Sequence, residues 1–311
     1  ITISSQMDKL DDYKTVLVIG NGFDKNIGMP TSYKEFMGSE EFKDLITKDN
    51  SVLAKYLDYK KSHDGTNWID LEKELGNYAK ILNNGAKIID VIPQKIRGDM
   101  NSSEIRSAFR RDFDFLCWAL KNYLKEVENI EYPNEKVANS VAYKLIKDII
   151  RERKPYYVVN FNYTNFVKKT IMFESSGYST KNEILQIHGS LKKDIVFGVQ
   201  DNFELERQHV FLYKSHNKCQ KVRGLPQILE NADKIIFFGY SLGETDHSYF
   251  DDFFKNQTKK DCRSKSFVFH HYGQDAYDDI IWQLKVLTNN RTSYLNQYND
   301  IRFEDSSKTP K

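Results

Sequence analysis

Residues 15–20, TVLVIG, constrain this chain more than any other stretch. The run is short, β-branched and apolar, and it stops at Gly20-Asn21-Gly22. A segment apolar on both alternating sets of positions reads as a strand buried on both faces, so it needs a covering layer on each side. Similar runs return at Tyr156–Asn160 (YYVVN), 184–187, 195–197, Lys234–Phe238 (KIIFF) and 266–270, with a candidate edge strand near 301–303. Helical spacing separates several of them, notably over 165–175 and 246–256. Strands alternating with helices imply an α/β fold with a mostly parallel sheet.

The alternation is interrupted after the first strand. Thr31 or Ser32 is placed to cap a helix near Tyr33, and from about residue 40 to 153 the pattern is helical throughout. Ile105, Phe109, Phe113, Leu116, Leu120 and Leu124 recur every three or four residues, as do Val137, Val141, Leu145 and Ile149. We therefore expect a first βα unit over 1–39, a helical insertion or lid over 40–153, and the rest of the sheet over 154–305. The chain has 311 residues, enough for one large domain or a core with an insert. Its net charge of +2 argues against a protein that coats nucleic acid. No apolar run approaches the roughly 18–20 residues that span a bilayer. Cys117, Cys219 and Cys262 are odd in number and far apart, as suits a reducing compartment, and a cytoplasmic location is expected. The leading ITISSQ precedes what reads as the natural start, Met7.

Ligands of open parallel sheets bind beyond the carboxyl ends of the strands. Gly20-Asn21-Gly22 stands at such an end, where missing Cβ atoms let backbone approach a phosphate and N–H groups can donate to it. The motif is partial: no Lys-Ser or Lys-Thr closes a P-loop, and Lys25 takes the place of a third glycine. Two later strands end in polar residues, YYVVN running into Asn162 and EILQI into His188-Gly189. An imidazole there suits a general base, and an amide suits the orientation of a water or a ribose hydroxyl. Simpler roles stay open: a ligand-free tight turn at the glycines, a helix cap for Asn162, a turn for His188. Gly239-Tyr240-Ser241 follows KIIFF, and Asp246 beyond it reads equally as a helix-starting acid or a ligand contact.

These residues fall in four blocks: VLVIGNGFDKNIGMPTSY, NWIDLEKEL, VVNFNYTN with QIHGSL and FGVQDN, and FFGYSLGETDHSYF. In that order they resemble the phage abortive-infection AbiH family, which in turn is similar to sirtuin-like NAD-binding proteins of bacterial defence. The resemblance implies a Rossmann-like sheet of the sirtuin-like kind with a helical insertion. It implies an NAD pocket contacted by Gly20, Asn21, Gly22, Phe23, Asp24, Gly28, Tyr163, Gly189, Gly239, Tyr240 and Ser241, with Asn162 and His188 as the catalytic pair. Two positions depart from the wider pattern: Thr164 stands where Asp is usual, and Asp24 where Ser is frequent. No Cys-x-x-Cys pair is present, so the zinc ribbon of deacylating sirtuins is missing and no metal is expected.

The leading expectation is thus hydrolysis of NAD at its N-glycosidic bond, releasing nicotinamide. One alternative is a silent sensor that binds NAD or ADP-ribose without turnover. The other is a metal-dependent nuclease using Asp70, Glu72 and Glu74, whose simpler reading is a solvated acidic helix face. His270 and His271 are neighbours on a strand, so their rings point to opposite faces and do not share a metal. The family resemblance leaves room for a phage-derived trigger and for a homo-oligomer.

Overall fold

The computed structural model of the chain describes residues 12–63, 70–83, 88–176 and 181–308. Met7 and the Asn67–Ile69 part of the NWIDLEKEL block lie outside the described residues. The chain divides into two compact units: residues 1–29, 131–187 and 221–311 form one, and residues 30–130 and 188–220 the other. The division differs from the boundaries expected at 39/40 and 153/154. The segment from Glu131 groups with the sheet, and the stretch from His188 to Gln220 groups with the helical unit.

The first unit is built on six parallel strands: β1 (Thr15–Ile19), β2 (Tyr156–Asn160), β3 (Asn182–Gln186), β4 (Lys234–Phe238), β5 (Ser266–His271) and β6 (Asp300–Asp305). Their order is β3-β2-β1-β4-β5-β6, the doubly wound Rossmann-like arrangement, with the reversal of direction between β1 and β4. Burial follows position. From Val16 to Ile19 every β1 residue is fully buried, whereas edge strand β6 alternates exposed and half-buried residues along DIRFED. One face of the sheet packs Val16, Val18, Phe237, Phe267 and Phe269 against Phe250, Phe254, Ile280 and Leu284. The Phe237 and Phe269 rings stack at 4.8 Å. Phe250 and Phe254, which precede Asn256, are thus core. The last register row crosses all six strands as Gln186, Asn160, Ile19, Phe238, His270 and Glu304, polar at both flanks and apolar at the centre.

The second unit is helical. Ser32 caps the Tyr33–Phe36 helix in a capping box with Glu35, one of the two caps the sequence offered. The Ser102–Glu128 helix begins at a second capping box, Asn101 with Glu104, and buries its expected stripe from Ile105 to Leu124. Residues 195–197 are not a strand as expected. Ile195 makes one isolated antiparallel bridge to Gly189, and Phe197 packs its ring near Tyr33 and Phe113. A run of three apolar residues carries no period, so burial in a loop and burial in a strand look alike in sequence. Among the described residues no helix is long and apolar enough to cross a membrane.

The acidic block of this unit is structural in its contacts. Asp70 Oδ1 accepts from the N–H groups of Glu72 and Lys73 and so starts the Leu71–Asn83 helix. Glu72 is buried and pairs with the equally buried Lys214 at 2.9 Å, while its other oxygen accepts from Gly198 N–H at 3.4 Å. Among the described residues no group of three or more His, Cys, Asp or Glu side chains is gathered as a metal would require. The Glu72–Lys214 pair ties the returning segment to the helices. Removing one partner strands a buried charge, which costs about 3–5 kcal/mol, while replacing both by apolar residues is often near neutral. Lys214→Met should therefore lower the urea midpoint sharply and Glu72→Leu/Lys214→Met should restore most of it. Equal loss in both variants would contradict this role.

Candidate functional site

At the point where strand order reverses, the loops leaving β1 and β4 touch backbone to backbone. Gly22 N–H donates to Gly239 O at 2.8 Å, and Gly20 N–H donates to Phe238 O at 3.2 Å. A Cβ on Gly22 would lie 2.4 Å from Gly239 Cα, and one on Gly239 would lie 2.3 Å from Gly22 C. Gly239 also has φ +59°, which a side chain disfavours. Both residues are glycine because two main chains cross there with no room between them. The chain then turns at once into a helix, Asn21–Asn26. Phe23 N–H donates to Gly20 O at 2.9 Å, so three N–H groups of this turn donate within the protein.

The turn is joined to the loop after β2 by buried polar groups. Asn162 Nδ2 donates to Gly20 O at 3.0 Å and to Asp24 Oδ1 at 3.1 Å. Thr164 Oγ1 donates to Asp24 Oδ2. Asp24, Asn162 and Thr164 are all buried. Thus the two positions that depart from the wider sequence pattern are bonded to each other, a hydroxyl facing a carboxyl. The helix-cap role for Asn162 does not hold: the following helix is Phe166–Glu174, its N-cap is Asn165, and the amide of Asn162 points to the β1 turn.

Two residues that the sequence reading did not select hold this loop from below. Asn160, the last residue of β2, accepts from Asn162 N–H at 2.9 Å and donates to Thr164 O at 3.1 Å. Gln186, its register partner at the end of β3, donates to the carbonyls of Asn162 and Tyr163 at 3.0 and 2.9 Å. A polar residue closing an apolar strand was their only signal in the sequence. Lys136 was also missed; its ammonium lies 3.7 Å from where a Cβ on Gly28 would stand. The Tyr132 phenol is pushed up to about 12, chiefly by burial, with a hydrogen bond to Thr170 acting the other way and the charge of Asp24 adding to the rise.

The remaining expected residues divide by role. Phe23 is fully buried and meets Phe238 edge to face at 6.0 Å. Tyr240 is buried too: its ring stacks on Phe161 at 4.3 Å and its hydroxyl donates to Asp246 Oδ2 at 3.1 Å. Asn21, Gly28 and Ser241 are exposed, and Tyr163 is buried. His188 is the second residue after β3 in the chain and belongs to the helical unit. It is buried at a turn, its carbonyl accepts from Val196 N–H at 2.8 Å, and Gly189 follows at φ +76°. A cleft of about 270 Å³ in the helical unit is lined by Lys55, Ile96, Arg97 and Glu104 among others, and by none of the expected site residues. On β5, His270 is buried and its ring lies 3.6 Å from Glu304, while His271 is half-buried and bonds Gly273 O, so the two rings do face apart.

Two measurements test this geometry. Gly22→Ala forces a Cβ into the Gly239 backbone and should cost about 1–3 kcal/mol in urea unfolding, the range of overpacking; an unshifted midpoint would contradict the crossing. The buried Asp24–Thr164 contact should appear as a coupling of about 1–3 kcal/mol in a cycle of Asp24→Ala, Thr164→Ala and the double variant. Additive losses would mean that the two side chains act independently.

Comparison with known proteins bears on the same residues. The model of the family described as bacteriophage abortive infection AbiH matches residues 16–301, which include every residue of the β1, β2 and β4 loops named above. None of the curated proteins compared matches the chain. With that match spanning almost its whole length, the chain belongs to the bacteriophage abortive-infection AbiH family, which suggests a role in defence against phage.

Proposed function

We propose that the protein acts in abortive infection by hydrolysing NAD, breaking the N-glycosidic bond and releasing nicotinamide. The observation that carries the reading is the clamped Asn162 amide beside the β1–β4 crossing. Both of its hydrogens are held by acceptors of the β1 turn, so Oδ1 is the part of the amide left to accept from a ribose hydroxyl or a water. Switch points of this strand order are where dinucleotides bind. The pyrophosphate is assigned to the turn at Gly20, Asn21 and Gly22 and to Gly239-Tyr240-Ser241, with Gly28 and the Lys136 ammonium beside it.

Cleavage of the glycosidic bond builds positive charge on the ribose, which oriented dipoles and a nearby carboxylate favour without a metal. Asn162 would hold the attacking oxygen in place. The sequence resemblance assigns removal of its proton to His188. A sensor that binds without turnover is the second reading, and one observation favours it: both Asp24 oxygens already accept protein hydrogen bonds.

Purified protein supplied with NAD and any phage trigger decides between them. We expect nicotinamide release, reduced roughly 10²–10⁴-fold in Asn162→Ala and in His188→Ala. Undiminished release in both variants would refute the assigned roles, and binding of NAD with no product would select the sensor.

A further inference from the structure

We propose that Asp24 is a positioning residue for Asn162, fixing the amide so that Oδ1 is the atom it presents. The proposal deepens the NAD reading and depends on it only for the activity readout below. The sequence reading set Asp24 against the ligand, yet both of its oxygens face protein donors: Oδ1 receives Asn162 Nδ2 at 3.1 Å and Oδ2 receives the Thr164 hydroxyl. With 1% of its surface exposed, the carboxyl is a brace inside the protein.

Three features make the assignment specific. First, the amide orientation is set by chemistry, because Gly20 O and an Asp24 oxygen that accepts from it are both acceptors. Turning the amide over would set its oxygen against two oxygens. Second, the main chain of Asn162 is held by other partners, Asn160 below its N–H and Gln186 on its carbonyl. Loss of Asp24 should therefore release the amide while the loop stays in place. Third, Thr164 holds the second oxygen, so the carboxyl cannot rotate away from the amide. Gly20 O alone would leave the amide with a single tether.

The role separates geometry from charge. In Asp24→Asn the new oxygen can accept from Asn162 and the new amide can donate to Thr164, whose hydroxyl turns to accept. In Asp24→Ala neither contact remains. The full chain, labelled with nitrogen-15 at asparagine, gives the first readout, with the Asn162 side-chain resonances identified by their loss in Asn162→Ala. We expect two distinct, slowly exchanging amide protons in the parent chain and in Asp24→Asn, and exchange about tenfold faster in Asp24→Ala, as follows from losing a hydrogen bond. In the NAD assay Asp24→Ala should lose on the order of 10²-fold in kcat with little change in KM, and Asp24→Asn should recover most of that loss. Unchanged Asn162 resonances in Asp24→Ala would overturn the proposal, as would an Asp24→Asn variant as impaired as Asp24→Ala in both readouts. Absence of NAD turnover in the parent chain would sink the NAD reading alone, since the resonances still decide the positioning role. Should Asp24→Ala fail to fold, Thr164→Val frees the second carboxyl oxygen, lets the carboxyl turn from the amide and is expected to accelerate the same exchange; no acceleration there overturns the proposal.

Discussion

The crossing of Gly22 over Gly239 is the constraint on which the rest of the sheet unit depends. Two loops leave adjacent parallel strands at the reversal of strand order and pass with their main chains in contact. That contact fixes where the Asn21–Asn26 helix starts, and hence where Phe23 and Asp24 enter the interior. It also means that the glycines first serve the protein's own packing. Three N–H groups of the turn already have carbonyl acceptors, so an anion here would lean on other donors.

Beside the crossing lies a chain of polar groups, with Asn160, Asn162, Asp24 and Thr164 buried and Gln186 half-buried. Polar groups out of water are costly unless their bonds are made, and here each has a partner on another element. Such a network specifies one arrangement of the β1 and β2 loops, because a small shift would leave several donors unsatisfied at once. The apolar middle of the last register row, Ile19 and Phe238, separates it from the His270–Glu304 pair at the far edge. Burial holds the His270 imidazole below its ordinary range, with the charge of Glu304 acting the other way.

Much of the fold was legible in the sequence because burial on both faces leaves a continuous apolar run, as in TVLVI and KIIFF, and because the Ser102–Glu128 helix repeats its apolar stripe from Ile105 to Leu124. The segment 195–197 was misread, since three apolar residues have no period. The grouping of residues 188–220 with the helices was invisible, because it arises from tertiary contacts, the Glu72–Lys214 ion pair among them, that no local pattern announces. At the candidate site, sequence could select Asn162 and the glycines from their places at strand ends. It could not see that Asp24 and Thr164, two separate departures from a pattern, are one contact, nor that Asn160 and Gln186 hold the loop.

The central claim is that the β1 and β4 loops hold a dinucleotide with Asn162 at its reactive end. A crystal structure of the protein soaked with NAD tests it most directly. The account predicts the pyrophosphate beside Gly22 and Gly239, and a ribose hydroxyl or an ordered water on Asn162 Oδ1. A nucleotide bound elsewhere, for instance in the cleft lined by Lys55 and Arg97, with the β1–β4 crossing left bare, would contradict it.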